Sequence, residues 1–156
     1  MTLRELRKIK GITQKEASKY LGVPLRTYVN YENDTKKQIS IKYKYMLESL
    51  RSYGYVDEEH GILSIESIRN ICVDVVSKHP VEYCYLFGSY AKGKATEKSD
   101  VDLLISTSLT GIEFFGLVEE LREALKKKVD VLDQKQIANS FELTNEILKD
   151  GIKIYG

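Results

Sequence analysis

Residues 86–105 read LFGSYAKGKATEKSDVDLLI, and this stretch sets the architecture of the second half of the chain. An apolar run ends at Gly88-Ser89, and Ser99 opens a Ser-Asp-x-Asp sequence that is followed by more apolar residues. The β-branched and aromatic residues from Val81 to Phe87 predict a buried strand before the turn. The pattern therefore predicts two strands joined by a turn rich in Gly and Lys.

The turn at Gly88 and Ser89 is of a type that can hold phosphate groups. Gly88 has no Cβ, so the backbone can turn sharply and a phosphate can approach it closely. Ser89 offers a hydroxyl, and the amides that follow it would point outward at a helix start, where they are donors for an anion. A Gly-Ser pair is common in proteins, so its meaning depends on the carboxylates that follow it.

Asp100 and Asp102 lie together on the predicted second strand. Strand alternation would place both side chains on one face, with Cα atoms about 7 Å apart. Carboxylates at that spacing can share two metal ions, which lie about 3.5–4 Å apart in two-metal sites. Mg²⁺ takes oxygen ligands and keeps substrate phosphates in its shell. The expected cofactor is a pair of Mg²⁺ ions, with Mn²⁺ as the alternative.

A third carboxylate is expected on a neighbouring strand, in the run from Lys128 to Asp133. Asp130 lies there between Val129 and Val131. If the two valines face the core, Asp130 faces the other way, towards the site. Asp133, at the end of the run, is the second candidate. The predicted catalytic and metal-binding set is Asp100, Asp102 and Asp130.

Residues 62–156 resemble a minimal, antitoxin-like nucleotidyltransferase of the DNA polymerase beta superfamily. The matching positions are Gly88, Ser89, Ala91, Gly93, Ser99, Asp100, Asp102 and Asp130. The resemblance implies that the Gly-Ser turn holds a triphosphate, that the paired Asp residues bind metals, and that the third Asp helps to activate an acceptor hydroxyl. Small members commonly carry Arg where this chain has Lys92, and Lys lacks the planar guanidinium fork. The nucleotide-binding residues implied are Gly88, Ser89, Lys92 and Ser99.

The first third of the chain differs from the rest in charge. Residues 1–52 hold 12 Lys and Arg against 5 Asp and Glu, a net charge of +7. Residues 53–156 hold 12 against 18, a net charge of −6, so the overall value of +1 hides the asymmetry. A basic front end on an acidic body predicts a nucleic-acid-binding module joined to a second domain.

Three short helices are predicted in the basic region. Thr2 can cap a helix over residues 3–9, and Thr13-Gln14-Lys15-Glu16 is a capping box that opens a second helix. Gly22 allows a tight turn before a third helix, from Leu25 to about Glu32. The predicted core residues are Leu6, Ile9, Ile12, Tyr20, Leu21, Val23, Tyr28 and Tyr31.

The basic region resembles the helix-turn-helix domain of Cro-type repressors and xenobiotic-response regulators. The matches are Leu3 through Arg7, Thr13-Gln14, Leu21-Gly22-Val23 and Tyr31-Glu32-Asn33. The resemblance implies that the third helix enters the major groove of double-stranded DNA, and dimeric binding to a pseudo-palindrome is expected. The alternative is a helical domain that contacts protein and whose charge is merely solvated. Residues expected to read bases are Arg26, Thr27 and Asn30, and those expected near phosphates are Gln14, Lys36 and Lys37.

The whole pattern predicts an α+β protein of two domains. A helix-turn-helix domain is expected over residues 1–53, a polar linker over 54–61, and a nucleotidyltransferase domain with a small mixed sheet flanked by helices over 62–156. The basic run 126–128 is interpreted as a complement to a helix dipole. Further helices are predicted from Ile39 to about Arg51, from Ser64 to about Lys78, from Gly111 to Lys128 and from Gln134 to Asp150, with a last strand over Ile152–Tyr155.

The leading hypothesis is an enzyme that moves a nucleoside monophosphate from an NTP, expected to be ATP, to an acceptor hydroxyl and releases pyrophosphate. The resemblance implies an acceptor on a partner protein, such as a HEPN-family ribonuclease toxin, with autoregulation through the DNA-binding head. Two alternatives stay open: a transcription regulator with a nucleotide-sensing domain, and a small-molecule nucleotidyltransferase such as one acting on aminoglycosides. Because no signal peptide or apolar run of membrane-spanning length is evident, a cytoplasmic location without membrane contact is expected.

Overall fold

A computed structural model describes all 156 residues, which form two compact units, Met1–Tyr55 and Val56–Gly156. The first unit is helical. Its elements are α1 (Leu3–Ile9), α2 (Gln14–Leu21), α3 (Leu25–Asn33), a 3-10 turn (Thr35–Ile39) and α4 (Ile41–Arg51).

Local sequence signals set the starts of α1 and α2. The Thr2 and Thr13 hydroxyls each accept a hydrogen bond from the amide three residues later, and the carboxylates of Glu5 and Glu16 accept a hydrogen bond from the cap amides. The capping box at Thr13 and the cap at Thr2 are predicted from the sequence, and the structure adds that Thr2 and Glu5 also form a capping box. Gly22 ends α2 at φ +66°, a left-handed conformation that glycine adopts without strain.

Two predictions about the first unit are wrong. The fourth helix begins at Ile41, because the Ser40 hydroxyl caps it by accepting from the amide of Tyr43 at 3.1 Å. Ile9 and Tyr20 are 68% and 46% exposed, since the available core is filled by other residues. The buried core consists of Leu3, Leu6, Ile12, Ala17, Tyr28, Tyr43, Met46 and Leu50.

The second unit is a four-stranded mixed sheet with helices on both faces, as predicted. The strand order is β3-β2-β1-β4, with β1 antiparallel to β2 and β4, and β2 parallel to β3. The elements are α5 (Ile65–Val76), β1 (Val81–Phe87), α6 (Gly88–Ala91), β2 (Val101–Thr107), α7 (Gly111–Leu125), β3 (Val129–Asp133), α8 (Gln134–Ile137), α9 (Phe141–Asp150) and β4 (Ile152–Tyr155).

The two faces of the sheet are covered to different extents. The main core joins one face to α5 and α7 through residues such as Ile68, Leu103 and Leu121, all fully buried. A smaller cluster on the other face joins Leu104 to Ile147 of α9. Because side chains alternate along a strand, the even-numbered residues of β2 face this less covered side, where the candidate site lies.

Two predictions about the later helices are wrong. The segment from Gln134 to Asp150 is not one helix, because Asp133 caps α8 and Ser140 starts α9 by accepting from the amide of Leu143. α7 ends at Leu125, and Lys126 takes a left-handed conformation at φ +57°. None of the helices combines the length and apolar character that crossing a membrane requires.

Candidate active site

The candidate site lies where β1 ends and β2 and β3 begin. Gly88 directly follows β1 and has φ +71°. A Cβ at this position would lie 2.0 Å from Oδ2 of Asp102, far inside any van der Waals contact. The sequence suggests that Gly88 admits a phosphate, and the structure adds that Gly88 admits the Asp102 carboxylate.

Asp102 and Asp130 are neighbours through strand pairing. Asp102 is paired with Phe87 of β1 on one side and with Asp130 of parallel β3 on the other. Paired residues of adjacent strands project to the same face, so both carboxylates lie on one side of the sheet. Asp100 lies just before the first residue of β2, Val101, rather than on the strand. Asp100 and Asp130 are exposed, whereas Asp102 is half-buried.

The electrostatics confirm that these carboxylates are close enough to interact. Burial, then the negative charges of Asp130 and Asp100, raise the pKa of Asp102 to about 6. Glu146 of α9 raises it further, and the ammonium of Lys92 lowers it. An acid held in such surroundings is ready to accept a cation, because a cation would remove the repulsion.

Lys92 and Glu146 form an ion pair across the site. Their Nζ and Oε1 atoms lie 2.7 Å apart, and each side chain is about one-third exposed. The hydrogen bond to Glu146 raises the pKa of Lys92. Glu146 was not predicted from the sequence, because it lies 44 residues after Asp102 on a helix with no motif. The predicted phosphate ligand Lys92 is therefore already paired with a carboxylate.

The two serines of the predicted nucleotide site have different surroundings. Ser89 is half-buried in the first turn of α6, which has no side-chain cap, so the amides at its start are not bonded by a capping side chain. The Ser99 hydroxyl accepts from the amide of Thr96 at 2.8 Å, and the Ser99 amide donates to the Thr96 carbonyl at 3.1 Å. Ser99 thus closes the turn that leads into Asp100.

The donor chemistry of the site fits a hard divalent cation, since all the candidate ligands are carboxylate oxygens. No three His, Cys, Asp or Glu side chains converge closely enough to hold a metal ion as they stand. Without a cation, burial of Asp102 and then the charges of Asp130 and Asp100 raise its pKa. Asp102 and Asp130 are paired on one face of the sheet, and Asp100 lies two residues before Asp102, so the residue types present suit a divalent cation.

The predicted base-reading residues lie on α3. Arg26 and Asn30 are exposed and Thr27 is half-buried. Because they are at positions i, i+1 and i+4, the three share one side of the helix. Asn30 also lines a shallow depression of about 360 Å³ together with the predicted phosphate ligands Lys36 and Lys37.

Gln14, the third predicted phosphate ligand, is hydrogen-bonded to a side chain of α3. Its side-chain amide donates to Oε1 of Glu32 at 3.3 Å. Glu32 has a fully buried carboxylate that accepts two hydrogen bonds of 2.9 Å from the Arg7 guanidinium. Burial opposes ionisation of Glu32, but the bonds from Arg7 hold its pKa below the ordinary value. This pair joins α1 to α3 and fixes the orientation of the helix that carries Arg26.

Comparison with known families agrees with both units. Residues 68–156 match the family model described as "Polymerase beta, Nucleotidyltransferase". The chain belongs to this nucleotidyltransferase family and is an enzyme of that class. Residues 3–43 match a helix-turn-helix family model, so the first unit is a helix-turn-helix domain.

Individual proteins to which this chain is similar include two that are named as adenylyltransferases. MJ0435 of Methanocaldococcus jannaschii, named as an inferred protein adenylyltransferase, is 33% identical over 92 residues, which are 58% of this chain and 91% of that protein. Protein adenylyltransferase MntA of Shewanella oneidensis is 31% identical over 78 residues, 49% of this chain and 55% of that protein. A solved toxin–antitoxin structure with AMP-PNP aligns at 26% identity and a TM-score of 0.49, covering 56% of this chain and 73% of its own.

Proposed function

We propose that this protein transfers AMP from ATP to a hydroxyl group on a partner protein and releases pyrophosphate. The transferase activity would reside in residues 62–156, and residues 1–53 would bind operator DNA. The proposal rests mainly on the position of Asp102, which lies against Gly88 on one side and is paired with Asp130 of β3 on the other. It brings together the three groups that the sequence assigns separately to phosphate, metal and acceptor.

Asp100, Asp102 and Asp130 are the residues that would hold two Mg²⁺ ions. When bound, such ions neutralise charge on the phosphates and on the transition state of an in-line displacement. Asp130 lies at the open edge strand β3 of the sheet, since the strand order begins there. Its exposed carboxylate would orient an incoming hydroxyl and accept its proton.

The β- and γ-phosphates would lie against the turn at Gly88 and Ser89. The amides at the start of α6 are not bonded by a capping side chain, and they can donate to anionic oxygens. Lys92 lies near Asp102 and would exchange Glu146 for a phosphate oxygen when the nucleotide binds. A short ion pair to Glu146 keeps Lys92 beside the site until then.

A protein acceptor is supported by the relatives, which are named as protein adenylyltransferases. A partner encoded beside this chain, such as a HEPN-family ribonuclease toxin, would make the protein an antitoxin that acts by modification. The helix-turn-helix domain favours this arrangement over a small-molecule transferase, because an operator-binding head allows autoregulation. The three carboxylates favour catalysis over nucleotide sensing alone.

The test is transfer of label to the protein encoded beside this chain, with Mg²⁺ present. We expect label from α-³²P-ATP, but not from γ-³²P-ATP, to remain on the partner, because AMP and not phosphate is transferred. Asp102→Asn should abolish labelling, whereas the exposed Asp74→Asn should label as the parent does. Retention of γ-label, or full activity in Asp102→Asn, would refute the proposed reaction.

The DNA-binding part of the proposal has its own test. A gel shift with the chain's own upstream region, against random DNA as competitor, should show salt-dependent, sequence-selective binding. Arg26→Ala should relax selectivity by about 1–3 kcal/mol for the lost base contact. Lys36→Ala should instead weaken binding to all sequences alike. Equal affinity for both DNAs, unchanged by Arg26→Ala, would leave the first unit without a role in operator recognition.

A further inference from the structure

Lys127 is buried at the end of the α7–β3 connection, although it belongs to a run of three lysines. Its exposed fraction is 0%, whereas Lys126 and Lys128 on either side are exposed. The sequence interpretation of this run as a complement to the helix dipole is wrong for Lys127. A buried ammonium is costly unless each of its donors is satisfied, so its surroundings identify what it does.

The ammonium is saturated by main-chain carbonyl groups. Nζ of Lys127 donates to the carbonyl oxygens of His60 at 3.1 Å, Gly61 at 2.6 Å and Glu97 at 2.6 Å. An ammonium has three N–H donors and no acceptor, so these three bonds use its full capacity. Because carbonyls of three different residues converge on one atom, Lys127 fixes the relative positions of separate backbone segments.

Two of the segments that Lys127 joins lead to site carboxylates, and the third, which contains His60 and Gly61, does not. Glu97 lies three residues before Asp100, and Lys127 itself lies three residues before Asp130. The amide of Val101 donates to the carbonyl of Lys128 at 2.9 Å. The backbone on both sides of Asp100 is therefore bonded to the two residues that lead into the strand of Asp130.

A side chain that only filled space here would not need an ammonium group. An apolar side chain of similar length would fill the same volume, but it would leave the carbonyls of His60, Gly61 and Glu97 without this donor. Lys127 instead bonds the loop of Asp100 to the entry of β3. Groups that support metal ligands from behind strongly affect metal affinity, because they hold the ligands in place.

We propose that Lys127 is a positioning residue that sets the distance between Asp100 and Asp130 and so prepares the carboxylates for divalent cations. This inference rests on the proposed metal-dependent transfer, and it assigns the support of that site to a residue that touches neither metal nor substrate. Loss of the ammonium would release the Glu97 carbonyl and let the loop of Asp100 move away from β3.

The test compares Lys127→Met with the matched control Lys128→Met in the full chain. The Kd for Mn²⁺ alone, without nucleotide, is measured from the paramagnetic resonance of the free ion at a temperature where both variants are folded. We expect Lys127→Met to raise this Kd at least tenfold and Lys128→Met to leave it unchanged, because the Lys128 side chain is exposed. Equal Kd values in parent and folded Lys127→Met would overturn the proposal. If Lys127→Met does not fold, Lys127→Gln, which keeps two donors, takes its place in the same titration.

Amide hydrogen exchange at Val101 gives a second readout that does not depend on metal. If Lys127 positions the loop, Val101 loses protection in Lys127→Met while the amides of central β2, such as Leu103, keep theirs. Equal protection of Val101 in both proteins would overturn the proposal whatever the metal titration shows. A parent protein that binds no Mn²⁺ would count against the proposed metal-dependent transfer, and the exchange measurement would still test Lys127.

Discussion

The neutral substitution Asp102→Asn is expected to stabilise the second unit while it abolishes nucleotide transfer. Burial and the charges of Asp130 and Asp100 raise the pKa of Asp102 from 3.8 to about 6. The ionised carboxylate is therefore disfavoured in the folded protein near neutral pH, when no cation is bound. Asparagine has nearly the same shape and no charge, so it removes the unfavourable effects of burial and of the neighbouring charges. It cannot replace the carboxylate as a metal ligand.

The size of the pKa shift sets the expected increase in the free energy of unfolding of Asp102→Asn. A shift of about two pKa units corresponds to about 3 kcal/mol, at about 1.36 kcal/mol per unit. Solvent reaches part of the carboxylate and screens its neighbours, so we expect a gain of about 1–2 kcal/mol. For a unit of about 100 residues, this corresponds to an increase in Tm of about 5–10 °C.

The stabilisation by Asp102→Asn should increase as pH rises. The folded state holds the Asp102 proton more tightly than the unfolded chain does, so ionisation of Asp102 lowers the free energy of unfolding as pH rises. The advantage of Asp102→Asn should therefore be absent below pH 3.8, grow between about pH 4 and pH 6, and be full above about pH 7.

Scanning calorimetry from pH 4.0 to 7.5, without divalent cations, measures this difference directly. The control is Asp74→Asn, whose carboxylate is 79% exposed and forms only a 3.9 Å contact with Lys78. The control should change the free energy of unfolding by less than about 0.5 kcal/mol at any pH. A Tm for Asp102→Asn that is no higher than that of the parent at pH 7.5, or a gain that does not depend on pH, would refute the conclusion that burial and neighbouring charges disfavour the ionised Asp102 carboxylate.

Two further substitutions test the two units. Gly88→Ala should abolish transfer and lower the Tm, because its Cβ would lie 2.0 Å from Oδ2 of Asp102. The control Gly93→Ala shares the left-handed φ but meets no atom within 4 Å, so it should keep activity. Similar calorimetric and transfer results for both variants would mean that backbone strain alone is responsible. Glu32→Gln should destabilise the first unit by about 3–5 kcal/mol, as it leaves the Arg7 guanidinium without its buried partner. Urea unfolding followed by circular dichroism measures this loss of stability, and a variant as stable as the parent at pH 7 would contradict the prediction. Because the pKa of Glu32 is lowered on folding, the parent itself should lose this stabilisation as pH falls below about 4.5.

Local elements were predictable because their signals lie within a few residues. The helix caps at Thr2 and Thr13 and the αL turn at Gly22 each depend on neighbours in sequence. β1 runs from Val81 to Phe87 as its β-branched and aromatic residues predict. The fused helix predicted over 134–150 is wrong, since α8 already ends at Ile137 and Ser140 caps the start of a separate helix.

Candidate site residues could also be chosen from the sequence, since the spacing of Gly88-Ser89, Asp100 and Asp102 is typical of phosphate and metal chemistry. Their mutual positions were not, because strand register is a property of paired chains. The sequence suggests that Asp130 faces the site if its valines face the core. The parallel pairing of Asp102 with Asp130 depends on how β3 docks beside β2.

Two residues close to the site carry no recognisable signal in the sequence. Glu146 reaches Lys92 because α9 packs back over the sheet. Lys127 is buried because three carbonyls from distant segments meet at one point, whereas its neighbours in the same lysine run are exposed. The residue types and their order thus define the chemistry that this chain can perform. Which carboxylates repel, which lysine is buried and which glycine is required depend on contacts between residues far apart in sequence, and those contacts form only when the sheet and its helices pack.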